Sequence, residues 1–266
     1  MARTPTENDD SASGTSRYRA PALDRGLDIL EVLAAETRGL TRAEICEALG
    51  VSASQMYRML ERLVARGYVT RLDGGDRFAV TMKLFQVATG HPPERRLLAQ
   101  AQPLMDEFAV ERQQSCHLAV PAQASAVILA QASTVSHWEF RARVGASMDF
   151  FNTSSGLTLL AFQDPDRLEQ TLGVWGVRDV TSRLAGVRDQ LDSVRATGWR
   201  VADSAQVVGI TDISVPVAGP NGDAIAALTC AFLDRPGNRA GGQEGREIAL
   251  ASLIRVAESL SLRNAG

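Results

Sequence analysis

Apolar residues recur at helical spacing in two neighbouring segments of the chain, and Gly50 separates the two segments. Thr41 and Glu44 have the spacing of a capping box at the start of the first segment. Ser52 has the side chain of a helix cap at the start of the second segment, which Gly67 ends. The pattern therefore predicts two short helices joined by a tight turn, which is the geometry of a helix-turn-helix.

A β-hairpin is predicted directly behind the second helix. Tyr68–Leu72 and Arg77–Val80 have strand character, and Gly74 and Gly75 lie in the turn between them. Capped helix pairs also occur in all-α cores, so the hairpin, which has the position of a wing, is what favours DNA binding. We predict a winged helix-turn-helix, closed by an upstream amphipathic helix whose apolar stripe is Leu23, Leu27, Ile29, Leu30 and Leu33.

The local charge supports contact with DNA. Residues 52–71 hold four arginines and one glutamate, a net charge of +3, whereas the whole chain has a formal net charge of −3. One arginine is typical of any solvated helix face, but three at spacings of four favour a phosphate-binding surface. Side chains near the start of the second helix and off its apolar stripe can reach base edges. The candidate DNA contacts are Ser52, Ser54, Gln55, Tyr57, Arg58, Arg62, Arg71 and Arg77.

The rest of the chain divides by pattern into further segments. We predict a disordered tail over residues 1–20, the winged domain over 21–90, a connector helix over 91–112 and a second domain over 113–266. Pro103 should kink the connector helix or mark a new start. The apolar stripe of Glu94–Arg112 must pack either on the chain's own second domain or on a second chain.

From Ser115 onward the pattern changes to alternation and to continuous apolar runs, which are typical of strands. The predicted strands are Cys116–Pro121, Ala126–Ala132, His137–Val144, Trp199–Asp203, Thr211–Ala218 and Ala224–Phe232. The predicted helices are Ser155–Phe162, Pro165–Leu172, Arg183–Thr197 and Glu244–Leu262. Strands on both sides of a helical middle indicate an α+β domain with a mostly antiparallel sheet.

Composition and cysteine use indicate a cytoplasmic protein. Apolar residues make up 45% of the chain and charged residues 22%, and no apolar run is long enough for a membrane span. The three cysteines are scattered, which favours a reducing compartment. Cys116 and His117 are adjacent on a predicted strand, so only one of them can face a given site. We expect no catalytic residues, no cofactor, no metal and no membrane partner.

Several segments resemble the IclR family of bacterial transcriptional regulators. LDRGLDILEVLA resembles the family's first helix, and VSASQMYRMLERLVARGYV resembles its recognition helix. RARVGASMDFFNTSSGLTLLAF resembles the strand end, loop and helix of its second domain. GWRVADSAQVVGITDISVPVAGPNGDAIAALTCAF resembles its C-terminal sheet. Because these segments follow in order from about residue 22 to 264, the resemblance covers nearly the whole chain.

The resemblance implies a GAF-like effector-binding domain behind the winged helix-turn-helix. It also implies a homodimer or homotetramer that binds a pseudo-palindromic double-stranded operator and controls a metabolic operon in response to a small organic acid. Leu157 departs from the lysine that the family often has, and Ala231 departs from a frequent serine, so we expect a less polar pocket. The family's ligand contacts correspond to Thr153, Ser154, Ser155, Gly156, Asp203, Asp212, Thr229 and Ala231.

The effector and two other functions stay open at this point. We expect a mostly apolar, aromatic acid held by neutral donors at a helix N-terminus, with a small aliphatic acid as the alternative. One alternative function is a GAF-like redox or metal-dependent enzyme fused to a DNA-binding module, which would need Cys116 or Cys230 to be reactive in the pocket. The other is a second domain that only oligomerises. Four aromatic residues are interpreted as core, with pocket walls as the alternative: Trp138, Phe140, Phe150 and Phe151.

Overall fold

The computed structural model describes residues 20–72, 74–88, 90, 92–134, 140–234 and 242–261, without the side chains of residues 55 and 92–94. The predicted tail, apart from Ala20, and Trp138 lie outside this set. Contacts group the chain into two compact units, residues 1–91 and 92–266. No helix in the described part is long and apolar enough to cross a membrane.

The first unit is a winged helix-turn-helix, as predicted. Strands β1, β2 and β3 form an antiparallel sheet in the order β1-β3-β2, and β2 and β3 are the predicted hairpin. The elements are α1 (Pro21–Ala34), β1 (Leu40–Thr41), α2 (Arg42–Leu49), α3 (Ala53–Ala65), β2 (Val69–Arg71), β3 (Arg77–Val80) and α4 (Lys83–Ala88).

One of the two predicted helix caps is present. The Thr41 N–H donates to Glu44 Oε2 at 2.7 Å, and the Glu44 N–H donates to Thr41 Oγ1 at 3.3 Å, which completes the capping box. Gly50 ends α2 with a φ of +62°, as a glycine at this position can. Ser52 occupies the cap position of α3, but its side chain makes no capping bond; its hydroxyl lies 3.3 Å from the Ser54 hydroxyl.

Helix α1 buries a narrower stripe than predicted. Ile29, Leu30 and Leu33 are buried, whereas Leu23 is 62% exposed and Leu27 is 49% exposed. Successive residues of a helix are about 100° apart, so the buried face is centred between Ile29, Leu30 and Leu33. Leu27 lies roughly a third of a turn away from that centre. The remaining core of this unit is Ile45, Met56, Leu60, Val69 and Phe78.

The second unit is the predicted α+β domain. Its six strands form an antiparallel sheet in the order β6-β5-β4-β9-β8-β7. The helices are α5 (Pro92–Arg112), α6 (Ser154–Ala161), α7 (Leu168–Val174), α8 (Val180–Ala185), α9 (Arg188–Thr197) and α10 (Gly242–Leu260). The strands are β4 (Cys116–Ala122), β5 (Ser125–Ala132), β6 (Ser147–Met148), β7 (Arg200–Asp203), β8 (Ile210–Ala218) and β9 (Ala224–Leu233).

Helix α5 packs on its own sheet, which answers the question that the sequence left open. Leu97, Ala101, Met105 and Phe108 join α10 and one sheet face in a single apolar core. The helix runs without interruption through Pro103. Pro103 and Ala99 are both exposed, so water can reach the backbone carbonyl that proline leaves without a donor.

Two predicted elements of the second unit are wrong. Residues 135–139 lie outside the described part, and residues 140–144 form no strand; the chain turns at Gly145, whose N–H donates to the Ile128 carbonyl at 2.8 Å. Only Ser147–Met148 pairs with β5. The predicted helix Arg183–Thr197 is broken at Gly186 into α8 and α9.

Candidate functional site

The recognition helix α3 presents a polar, basic surface. Ser52, Ser54, Tyr57, Arg58 and Arg62 are exposed, and the side chain of Gln55 is not described. Among the described residues, neither the Arg58 nor the Arg62 guanidinium has an ion-pair partner. These two cations are therefore available for phosphates or base edges.

The two predicted wing arginines differ. The Arg71 guanidinium pairs with Glu61 and lies 5.6 Å from the Phe78 ring centroid, but its side chain is still 42% exposed. Arg42, which the sequence did not single out, stacks on the Tyr57 ring at 5.1 Å and so joins the same surface.

Arg77 also makes contacts within the first unit. Its Nη1 donates to the Gly39 carbonyl at 2.8 Å and lies 3.3 Å from the Glu44 carboxylate. Bonds from Thr41 and the Arg77 charge lower the pKa of Glu44. This guanidinium ties β3 to the capping box of α2, but the side chain is still 40% exposed, so its role as a DNA contact stays a prediction.

The second unit contains a cavity of about 380 Å³ beside the N-terminus of α6. Five of the eight predicted effector residues line it: Thr153, Ser154, Ser155, Asp212 and Thr229. The polar lining also includes residues that the sequence did not single out as effector contacts: His117, Arg143, Asp149, Asn152, Ser204 and Gln206.

Gly156 shapes the cavity from behind rather than lining it. A Cβ at this position would lie 2.5 Å from the Phe150 Cα and carbonyl oxygen, so only glycine lets α6 approach so closely. The Gly156 N–H donates to Thr153 Oγ1 at 3.1 Å, and Thr153 Oγ1 donates to the Asp149 carbonyl at 2.7 Å. The cap and the glycine together fix where α6 begins.

Asp203 and Ala231 do not line the cavity. Along β7 the exposed positions alternate with the half-buried ones, and Asp203 is on the exposed side. Ala231 pairs with Asp212 in the sheet and is buried, but it offers only a methyl group. Their predicted roles as effector contacts are therefore not supported.

A row of polar residues crosses the cavity side of the sheet. Antiparallel register places His117 opposite Thr229, Thr229 opposite Ser214, and Ser214 opposite Arg200. Cross-strand partners point to the same face, so these side chains form one line. The sequence could show only that Cys116 and His117 face opposite sides; the register between distant strands decides which side holds the cavity.

Helix α6 brings Ser155 down onto this row. Ser155 Oγ lies 3.0 Å from His117 Nε2 and 2.8 Å from Thr229 Oγ1, and Thr229 Oγ1 donates to Ser214 Oγ at 2.8 Å. All four side chains are buried. Burial lowers the pKa of His117 to about 4, so the imidazole is neutral at neutral pH.

Charged groups, including Arg200 at the end of the row, lie around the four buried neutral side chains. Burial raises the pKa of Asp212, while hydrogen bonds from Ser154 and Ser204 and the Arg200 charge oppose that rise. Burial lowers the pKa of Arg200, whose Nε donates to Ser154 Oγ at 3.3 Å. The Asp212 charge is therefore partly compensated inside the protein.

The aromatic residues divide between core and cavity. Phe150 is fully buried and stacks on Trp175 at 5.3 Å between ring centroids, and Phe151 lies 4.0 Å from the Arg183 guanidinium. Phe140 lines the cavity with Ile128 and Met148. The core interpretation is correct for Phe150, and Phe140 supplies an apolar wall.

The two buried thiols face away from the cavity. Cys116 and Cys230 are paired in register and belong to the core with α5 and α10. Burial raises the pKa of both thiols, so neither is a nucleophile at neutral pH. Among the described residues, no three His, Cys, Asp or Glu side chains are grouped so that they could hold a metal ion.

Comparison with known proteins assigns the family. The profile described as bacterial transcriptional regulator IclR C-terminal matches residues 93–262, and the IclR helix-turn-helix profile matches residues 22–73. The chain belongs to the IclR family of transcriptional regulators. The family has both a DNA-binding and an effector-binding domain, so the protein is a ligand-responsive transcriptional regulator, and no enzymatic family is indicated.

Named relatives span most of the chain. The Pca regulon regulatory protein of Pseudomonas putida is 27% identical over 212 residues, which are 78% of this chain and 72% of that protein. The regulator KdgR of Escherichia coli is 27% identical over 208 residues, which are 77% of this chain and 79% of that protein.

A solved structure shares the fold. An IclR homolog from Microbacterium hydrocarbonoxydans, complexed with 4-hydroxybenzoate, has a TM-score of 0.72 at 22% identity. The match covers 90% of this chain and 97% of that one.

The buried neutral His117 predicts a loss of stability in acid. The unfolded chain takes up this proton near pH 6.5 and the folded chain only near pH 4, so the stabilisation is complete above 6.5 and is lost as the pH falls towards 4. The free energy of unfolding of the wild type, minus that of His117→Gln, should therefore rise by about 3 kcal/mol as the pH is raised from 4 to 6.5. Urea unfolding at a series of pH values measures it. A difference that is constant, or that grows on acidification, would contradict the neutral burial of His117.

Proposed function

We propose that a small organic acid binds in the α6 cavity and thereby changes the affinity of the winged helix-turn-helix for operator DNA. The observation that carries this proposal is the N-terminus of α6 at the cavity, where the Thr153 side chain caps only the Gly156 N–H. Ser154 and Ser155 occupy its first turn, where backbone N–H groups have no partner within the helix. Such a terminus favours a carboxylate through its free donors and its dipole.

Arg143 supplies a cation for the same carboxylate. It lines the cavity, it is exposed, and its guanidinium has no ion-pair partner among the residues described. The sequence offered only neutral donors because Leu157 stands where the family often has lysine, so this cation revises that expectation. Asp149 is already engaged with Arg183, and Asp212 with Arg200, which reduces their repulsion of an anion.

The dimensions and walls of the cavity suit an aromatic acid. Its volume of about 380 Å³ lies within the range of small-molecule sites, and Phe140, Ile128 and Met148 form the apolar lining. The related regulator that shares the fold was crystallised with 4-hydroxybenzoate, which supports the same ligand class here. A small aliphatic acid is the alternative, because the cavity also presents many polar groups.

We infer that two copies of the chain bind one pseudo-palindromic site. A symmetric dimer gives two recognition helices a fixed spacing, and half-site symmetry mirrors protein symmetry. The apolar stripe of α5 no longer argues for a dimer, because it is buried within its own unit. The candidate contacts between two copies are instead apolar side chains that are exposed on the first unit: Leu23, Leu27, Met82 and Val87.

Substitutions on α3 test the DNA surface. Arg58→Ala should weaken binding to a DNA site selected by the protein by about 1–3 kcal/mol if this arginine pairs a guanine. Arg62→Ala should weaken binding to all DNA sequences alike, and it should reduce the salt dependence of the affinity by about the contribution of one phosphate contact. Fluorescence anisotropy over a range of salt concentrations measures both, with Arg188→Ala, an exposed arginine of the second unit, as the charge-matched control. If the three variants bind equally, the surface is assigned wrongly.

A thermal-shift panel tests the effector site. Hydroxybenzoates should raise the melting temperature by an amount that grows with ligand concentration, because only the folded protein binds them. Arg143→Ala should reduce this shift, and Arg188→Ala should leave it unchanged. If pyruvate and glyoxylate stabilise the protein and the hydroxybenzoates do not, the preference for an aromatic acid is wrong. If Arg143→Ala and Arg188→Ala behave alike, Arg143 does not hold the carboxylate.

A further inference from the structure

The buried polar row fixes the direction of its own hydrogen bonds. A hydroxyl group has one proton to donate and can accept two. Thr229 Oγ1 donates its proton to Ser214 Oγ at 2.8 Å. The 2.8 Å bond between Ser155 and Thr229 must then be donated by Ser155, because the Thr229 proton is already used.

The same reasoning decides the tautomer of His117. Once Ser155 has donated its only proton to Thr229, it can only accept from His117 Nε2, which lies 3.0 Å away. A neutral imidazole carries a single N–H, and the other ring nitrogen is then an acceptor. His117 is therefore protonated at Nε2, and Nδ1 presents a lone pair.

Nδ1 is an acceptor without a donor. The His117 ring lines the cavity, and Ser155 is its only side-chain hydrogen-bond partner among the described residues. Because burial lowers the pKa of this ring to about 4, protonation does not convert Nδ1 into a donor at neutral pH. Nδ1 is not one of the sealed side-chain atoms that lack a partner in the described part of the protein, so it is accessible from the cavity, where a ligand with a suitable donor can bond to it.

We propose that the cavity selects organic acids that carry a hydroxyl group, and that His117 Nδ1 accepts the hydrogen bond from that hydroxyl. The inference rests on the proposed function, since the acid must bind in this cavity. His117 contacts the ligand, whereas Ser155, Thr229 and Ser214 are positioning residues that hold the ring in one tautomer. The carboxylate at Arg143 and α6 fixes the class of ligand, and His117 discriminates within it.

Matched pairs of acids test the selection in the full-length protein. The probes are the three hydroxybenzoates with the three methoxybenzoates, and 3-hydroxybutyrate with 3-methoxybutyrate; each methoxy compound keeps the oxygen but lacks the proton. By titration calorimetry, the preferred hydroxy acid should bind about tenfold or more tightly than its methoxy partner. His117→Phe, whose folding is checked by circular dichroism, should lose most of this preference.

Ser214→Ala is the sharper variant, because Ser214 does not line the cavity. Without Ser214 as acceptor, Thr229 can donate to Ser155, Ser155 can donate to His117 Nε2, and the ring proton moves to Nδ1. The methoxy oxygen then gains a donor, so the preference for the hydroxy acid should fall by about tenfold. The matched control is Ser252→Ala, because Ser252 is a buried serine on α10 that does not line the cavity. This variant should keep the wild-type preference.

Nitrogen-15 NMR reads the tautomer directly. The chain has three histidines, so His117 is assigned by the signals that disappear in His117→Phe. The Nε2–H form is expected in the wild type and in Ser252→Ala, and the Nδ1–H form in Ser214→Ala.

The outcomes distinguish a failure of the proposed function from a failure of the role inferred for His117. If no acid of any pair binds, the proposed function fails, and the inference fails with it. If a methoxy acid binds as tightly as its hydroxy partner in the wild type, or the wild-type ring is protonated at Nδ1, only the inference is overturned. A Ser214→Ala variant with unchanged preference would also overturn it.

Discussion

The close approach of α6 to the Phe150 backbone is the constraint on which the cavity depends. Gly156 permits it because a Cβ there would lie 2.5 Å from backbone atoms of Phe150. The Thr153 cap then sets the first turn of the helix, and Ser155 reaches His117 and Thr229. Any side chain at residue 156 would push the helix away from the sheet, and the buried hydroxyl bonds would lengthen. The packing of the domain and the chemistry of its cavity therefore share one contact.

The sheet separates two environments by the alternation of its strands. On β4, Cys116 and Leu118 enter the apolar core with α5 and α10, whereas His117 points to the cavity. The cavity floor is neutral and hydrogen-bonded, and the charged groups lie around it. This arrangement suits a ligand with a charged end and a neutral polar end, because each end meets groups of matching character.

The sequence predicted the fold well where local signals decide it. The Thr41–Glu44 box, the Gly50 turn and the wing hairpin follow from residue types at fixed spacing, and the structure contains all three. Contacts between distant residues were not accessible. The sequence did not show that Arg77 pairs with Glu44, and His117 became a site residue only through its register with Thr229.

The loop before β6 illustrates a second limit of structure prediction from the sequence pattern. Residues 140–144 alternate in a strand-like way, yet the chain turns at Gly145 and Phe140, Ala142 and Arg143 line the cavity. The consecutive residues Ala142 and Arg143 both line the cavity, which the alternation of a strand does not predict. The cation that revises the effector expectation lies in this loop, so the same limit hid it.

Reciprocal linkage between the two ligands tests the central claim most directly. If the acid acts through the cavity on DNA affinity, its dissociation constant must change when the protein is bound to a selected DNA site, and DNA affinity must change by the same factor. With the hydroxybenzoate that binds most tightly as the probe, we expect the two factors to agree at about 5-fold or more. An acid that binds free and DNA-bound protein with equal affinity would contradict the account, because such a ligand cannot shift the equilibrium.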